Sequence, residues 1–161
     1  MTTGQPTAGY SGTPLHRKLG IKPGHLVLVS HLPDGATPPG VPRFDPARLD
    51  PDRSATVHRR PATPADGYDV VLVFCADSAA LRQRLPSAME RTATAGRCWV
   101  AWPKQASGVP TDLTENVVRD AALEVGWVDV KVCAIDAIWS GLCLVRRLEN
   151  RAPGKKGARK S

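Results

Sequence analysis

The side chains best suited to chemistry lie in two short runs, WPK at 102–104 and DAIWS at 136–140. Together these runs offer an amine, a carboxylate, a hydroxyl and two indoles, a combination that could bind an anion or a peptide carboxylate. Simpler explanations are a solvated loop charge, a carboxylate that caps its own turn, and indoles that pack. The ligand-binding candidates are Trp102, Lys104, Asp136, Trp139 and Ser140.

Two further candidates, His31 and Asp77, follow apolar runs that predict buried parallel strands at 25–30 and 68–75. The carboxyl ends of parallel strands meet at one edge of a sheet, and open sheets bind ligands there. We therefore expect all seven candidates at this edge, with Lys104, Asp136, Trp139 and Ser140 converging in one patch. A Lys104–Asp136 pair could equally be an exposed salt bridge worth ~0–1 kcal/mol.

The same residues do not compose a catalytic or metal site. A Ser140 nucleophile would need a histidine base, only His31 follows a strand at the right edge, and G-x-S-x-G is absent. The histidines share no ligand spacing, so we predict no metal and no catalytic residue. The cysteines are far apart in apolar runs, which predicts free, reduced thiols in a reducing cytosol: Cys75, Cys98, Cys133 and Cys143.

The elements that must position these residues alternate between strand and helix. A short helix is expected near 13–20, a second after Asp77, kinked or split by Pro86, and a third over 112–126. This order predicts an α/β fold, a three-layer Rossmann-like, mostly parallel sheet of about five to six strands with a C-terminal antiparallel pair. The predicted strands are 25–30, 68–75, 97–102, 127–135 and 141–148.

The third helix carries the clearest local signals. Asp112 and Glu115 have the spacing of a capping box, and Glu115 can pair with Arg119 one turn later. An apolar stripe predicts the buried face: Leu113, Val117, Ala121, Ala122 and Val125.

Composition predicts one domain with polar ends. Of the 161 residues, 42% are hydrophobic, enough for one core over 10–149, with a disordered start at 1–9. Residues 33–66 are proline-rich, which predicts an irregular, mobile insert with at most one short strand at 54–59. The end at 150–161 is predicted to be a disordered basic tail; its five positive charges account for most of the net charge of +7.

Three long runs carry a resemblance: YSGTPLHRKLGIKPG, WVAWPKQASGVPTDLTENVVRD and GWVDVKVCAIDAIWSGLCLVRR. They resemble an actinobacterial family of small proteins classed as a domain of unknown function, over about residues 10–147. The element order over 68–148 resembles the C-terminal half of class I, Rossmann-like methyltransferases. That resemblance implies an antiparallel last strand between the two strands before it.

The methyltransferase resemblance also implies a glycine-rich cofactor loop after the first strand and an acid after the second. Here the first strand is followed by His31-Leu-Pro-Asp-Gly35, with one glycine and a proline where amide donors are needed. An acid after a second strand is not identifiable, because Asp45 and Asp50 lie in the proline-rich stretch. We therefore predict no cofactor, with S-adenosylmethionine (SAM) or a nucleotide kept as the alternative.

Three functions are consistent with these residues. The first is a non-catalytic, regulatory module that binds a protein partner or a small anionic ligand. The second is a degenerate methyltransferase-like enzyme, or a SAM- or nucleotide-binding protein, using the Lys104/Asp136 edge. The third is weak, non-specific nucleic-acid binding through the tail, without specific recognition. No apolar run approaches the ~20 residues of a membrane span, so a cytoplasmic protein without membrane contact is expected.

Overall fold

The computed structural model describes residues 13–62, 64 and 66–147. Six strands form one sheet in the order β2-β1-β3-β4-β6-β5. Pairing is parallel from β2 to β4, and β6 is antiparallel to both β4 and β5. The predicted fold class is confirmed, and β6 lies between β4 and β5 as the resemblance implied. The strands are β1 Leu26–Ser30, β2 Thr56–His58, β3 Tyr68–Phe74, β4 Thr92–Pro103, β5 Trp127–Ala134 and β6 Trp139–Arg146.

In the described ranges three α-helices accompany the sheet: α1 Leu15–Lys18, α2 Ser78–Arg91 and α3 Glu115–Glu124. Asp77 caps α2 by accepting a hydrogen bond from the Ala80 amide at 2.8 Å. The helix continues through Pro86, so the predicted split is wrong. Pro86 lies on the exposed side of α2, where a backbone carbonyl that loses its helical partner can bond to water.

The cap of α3 differs from the prediction. Thr114 is the N-cap and accepts from the Val117 amide at 3.2 Å, whereas Asp112 bonds to Ser78. The helix therefore begins at Glu115, and its buried side chains are Val118 and Ala122. The predicted Glu115–Arg119 pair is confirmed.

The two faces of the sheet are covered differently. Helices α2 and α3 cover one face and share a core with strand residues such as Val71 and Leu144. The short helix α1 and the chain around 32–49 cover the other face, against strand residues such as Trp99. The proline-rich segment is irregular apart from β2 and a 3-10 turn, but three of its apolar side chains are buried on the sheet: Val41, Phe44 and Leu49.

Burial explains why this segment follows a defined path without regular hydrogen bonding. The ring centroids of Phe44, in this segment, and Phe74, in β3, lie 5.1 Å apart. Buried apolar area of this kind stabilises by about 25 cal/mol per Å². The segment thus serves as the second outer layer in place of long helices. The predicted disordered ends at 1–9 and 150–161 lie outside the described residues. None of the helices in the described ranges is long and apolar enough to cross a bilayer.

Candidate functional site

The order in which successive strands are added to the sheet reverses at β1. The chain passes from β1 to β2 on one side and then to β3 on the other. The loop after β1 leaves toward the face of the irregular layer, and the loop after β3 leads into α2 on the opposite face. Diverging loops at such a topological switch point leave a crevice beyond the carboxyl ends of the strands.

A cavity of about 600 Å³ lies in this crevice. We call it the switch-point pocket. Its lining comes from the residues after β1, the end of β3, the first turns of α2 and the start of β6. The polar and aromatic side chains that line it include those of His31, Asp34, Phe74, Asp77, Gln83, Arg84 and Trp139. Three of the seven sequence candidates, His31, Asp77 and Trp139, therefore lie at this pocket.

His31 has an unusual backbone for a residue with a side chain. Its φ of 60° lies in the left-handed region, a strain that is found disproportionately at functional sites. The ring Nδ1 lies 2.8 Å from the Ser30 hydroxyl. Partial burial of the ring, and next the positive charge of Arg84, lower the pKa of His31. The neutral imidazole is therefore favoured, with one nitrogen as donor and the other as acceptor.

Arg84 supplies a permanent positive charge to the pocket. Its Nη1 donates to the Phe74 carbonyl at 2.8 Å, which fixes the guanidinium at the end of β3. Its Nε is buried and has no hydrogen-bond partner among the described residues. The sequence analysis did not single out Arg84. A signal was present, because Arg84 stands in the inward row of α2 beside Leu81, Leu85 and Ala88.

The two acids at this pocket are bonded to nearby backbone amides. Asp77 accepts from Ala80 as the cap of α2. Asp34 accepts from the amides of Thr37 at 2.7 Å and Ala36 at 2.9 Å, and these two bonds lower its pKa. Both carboxylates thus stabilise the walls of the pocket.

Trp139 forms part of the apolar wall. Its ring packs edge-on against Phe74, with centroids 4.9 Å apart and planes at 86°. Only 1% of Trp139 is exposed. The simpler explanation that the indoles pack therefore describes Trp139, and also Trp102, which is buried in the core beneath α2 and α3.

The structure brings the two runs of the sequence analysis together. Pro103 of β4 pairs with Trp139, and Trp102 pairs with Ser140. The Lys104 amide donates to the Ile138 carbonyl at 2.7 Å. We call this region the Lys104/Asp136 edge, comprising residues 102–104 and 136–140.

The Lys104/Asp136 edge is largely bonded to itself. Asp136 Oδ1 accepts from the amides of Ile138 and Trp139, both at 2.8 Å, and Oδ2 lies 3.4 Å from Arg48. The turn-capping explanation of Asp136 thus describes its contacts. Side chains alternate between faces along a strand, so Trp102 and Trp139, which are diagonal neighbours in the register, enter opposite cores.

The seven candidates therefore fall into two regions of this edge of the sheet. His31, Asp77 and Trp139 line the switch-point pocket. The remaining four candidates do not line it: Trp102, Lys104, Asp136 and Ser140. Ligand binding by Lys104 stays a prediction.

The cysteines do not form a reactive group. All four are free; three are buried and Cys133 is half-buried. Burial raises the pKa of Cys75 to about 12 and of Cys143 to about 11, so both are thiols at neutral pH. The described ranges contain no group of three or more histidines, cysteines or acids that could hold a metal ion.

The strand order, with β6 inserted antiparallel between β4 and β5, defines a Rossmann-like, methyltransferase-like α/β fold. No family model matches the chain, and a search of curated proteins finds no match. The resemblance to the actinobacterial family therefore stays a prediction.

Solved structures of methyltransferases share the general arrangement. The L11 ribosomal protein methylase of Lactobacillus delbrueckii subsp. bulgaricus is 12% identical, with a TM-score of 0.48, over 83% of this chain and 75% of that one. A TehB-like SAM-dependent methyltransferase from Corynebacterium glutamicum is 11% identical, with a TM-score of 0.48, over 87% and 91%. Because these scores are low, the fold assignment rests on the strand order of this chain itself.

SAM is the cofactor that this fold implies, and the residues present do not fit it. The first five residues after β1, 31–35, include Pro33, which has no amide donor, and a single glycine, Gly35. Strand β2 is followed by Arg59 and Arg60, where a carboxylate would be needed for ribose hydroxyls.

Proposed function

We propose that this chain is a non-catalytic, regulatory module that binds a small anionic molecule in the switch-point pocket. The observation that carries the proposal is the buried Arg84 Nε without a protein partner among the described residues, at the wall of a cavity at the switch point. An unsatisfied buried donor costs ~1–3 kcal/mol, more for a charged group. The Arg84 guanidinium, which lines the cavity, would donate to an anionic ligand there.

The local electrostatics support an anion and argue against catalysis. The Ser30–His31 contact pairs a hydroxyl with an imidazole, as a nucleophile and its base would be paired. A general base must become a cation during the reaction, and the positive charge of Arg84 opposes that change. The same charge favours a bound anion. His31 is therefore proposed to donate to or accept from the ligand, with Asp77 and Trp139 shaping the pocket.

Isothermal titration against AMP and citrate, with the net cationic SAM as the contrasting probe, tests the proposal. At least one of the two anions should bind, and Arg84→Gln should weaken that binding tenfold or more. Arg82→Gln is the matched control, because Arg82 is on the same helix but is exposed and away from this pocket. Equal loss in both variants, or full binding by Arg84→Gln, contradicts the proposal.

A second candidate is a degenerate methyltransferase-like protein that binds SAM or a nucleotide through the Lys104/Asp136 edge. The strand order favours it. Equilibrium dialysis with labelled SAM separates the two: SAM binding that Lys104→Ala abolishes and Arg84→Gln leaves intact supports this candidate. Binding of a protein partner, or of nucleic acid through 150–161, stays a prediction; deleting 151–161 should remove the latter.

A further inference from the structure

A second cavity of about 430 Å³ adjoins the switch-point pocket and shares His31, Gln83 and Arg84 with it. We call it the arginine pocket. Its other walls include Pro61, from the segment after β2, and Arg91 of α2. Its lining residues, all in the described part of the chain, include two arginines and no acid. This contrasts with the switch-point pocket, whose lining includes Asp34 and Asp77.

The basic side chains of the arginine pocket come from one row of α2. Arg84, Ser87 and Arg91 are spaced i, i+3 and i+7, which places them on one face over two turns. Arg91 Nε donates to the Ser87 hydroxyl at 3.1 Å. Arg84 is fixed by its bond to the Phe74 carbonyl. The guanidinium groups are thus oriented by the protein before any ligand arrives.

Donors remain available after these bonds. A guanidinium has five N–H groups. Arg84 uses one of them on Phe74, and Arg91 uses two, on Ser87 and on the Ala62 carbonyl at 3.5 Å. The amide of Gln83 adds two more donors to the pocket walls.

We infer that the ligand is a phosphomonoester, with its phosphate in the arginine pocket and a flat apolar part in the switch-point pocket. This inference rests on the proposed function and narrows its ligand class. Three phosphate oxygens match forked donors from two arginines, which pair with phosphate bidentately. Leu32, Pro38 and Pro39, which are at least partly exposed, offer an apolar lining for the flat part. Gln83 and Arg84 line both cavities, so one ligand can span them.

Matched pairs of probes test the inference by isothermal titration: AMP against adenosine, and FMN against riboflavin. In at least one pair the phosphorylated probe should bind tenfold or more tightly than its partner. Arg91→Gln should remove that preference and leave the affinity of the unphosphorylated probe unchanged. Arg82→Gln, on another face of α2, should retain it. Thermal melting checks that each variant is folded.

Ser87→Asp is the second variant. Ser87 is exposed on α2, so the substitution should fold, and its carboxylate would repel a phosphate in the pocket. Equal affinity within both probe pairs overturns the inference. If citrate then binds in an Arg84-dependent way, the proposed function stands without the phosphomonoester inference. If none of the compounds binds, both are overturned.

Discussion

The switch-point pocket and the Lys104/Asp136 edge lie at the same edge of one sheet, but they differ in how far their polar groups are hydrogen-bonded within the protein. At the Lys104/Asp136 edge, Asp136 is bonded to two backbone amides and to Arg48. At the switch-point pocket, a buried donor of Arg84 has no partner in the described ranges, and His31 has a left-handed backbone. Suitable residue types are therefore not enough to propose a site, and a buried donor without a partner beside a cavity is what supports the proposal for the switch-point pocket.

The difference arises from chain topology. The loops after β1 and β3 go to opposite faces of the sheet and leave a crevice between them. The chain after β4 is tied to the turn before β6 by the bond from the Lys104 amide to the Ile138 carbonyl. Paired neighbours close the gap in the second case, so the turn satisfies its own polar groups.

Trp139 contacts both regions, and its loss should have the largest effect. Trp139→Ala should lower the free energy of unfolding by about 3–5 kcal/mol, since it empties a large buried volume and removes the edge-on contact with Phe74. Urea denaturation measures this loss. Val132→Ala is the control, because Val132 is half exposed on the edge strand β5. A loss below about 1 kcal/mol for Trp139→Ala contradicts the described packing.

Asp136 separates a structural role from a binding role. Asp136→Ala should lower the free energy of unfolding by about 1–2 kcal/mol, because two backbone amides lose their acceptor. Asp136→Asn keeps an oxygen acceptor and should lose less. Ligand affinity in the switch-point pocket should be unchanged in both. A stable Asp136→Ala protein that no longer binds ligand would instead favour a site at the Lys104/Asp136 edge.

The sequence predicted local elements better than tertiary partners. Apolar runs and turn residues were enough to locate the main strands. The cap of α3 was misassigned because Asp112 and Thr114 are both good caps, and Ser78, 34 positions earlier, bonds Asp112 at 2.8 Å. That choice depends on packing between helices, so it is not readable locally.

The candidate site shows the same limit. His31 and Asp77 were predictable because they follow strands, and ligand sites of open sheets lie there. Arg84 was not predicted, because its position at the pocket depends on which face of α2 packs against the end of β3. Trp102 and Lys104 looked equivalent to the pocket residues because the position of β6 beside β4, which the resemblance implied, does not reveal that the turn before β6 bonds its own polar groups.

At the switch-point pocket, His31 should make the free energy of unfolding depend on pH. This effect should be smaller than those of the Trp139 and Asp136 substitutions. The pKa of folded His31 is below its ordinary 6.5, so the unfolded chain binds more protons as the pH falls below 6.5. The stability contributed by neutral His31 is present above pH 6.5 and is lost as the pH falls through the folded pKa. His31→Asn, which tolerates the left-handed backbone, should flatten this dependence. Urea denaturation from pH 7.5 to 5 measures it; parallel profiles contradict it.

The smallest expected effect is on the alkylation rate of Cys133, near the Lys104/Asp136 edge. Desolvation raises the pKa of its thiol, while the charges of Lys18, Lys131 and Lys104 lower it. Iodoacetamide should modify Cys133 before the three buried cysteines, because thiolate character and exposure set the rate. Lys104→Gln should slow that modification by about two-fold, since one nearby charge changes the thiolate fraction only modestly. Mass spectrometry of tryptic peptides measures the rate, with Lys22→Gln as control. An unchanged rate in Lys104→Gln would mean that the Lys104 amine lies too far from Cys133 to affect its thiol. The Lys104/Asp136 edge would then have a weaker positive potential than the switch-point pocket.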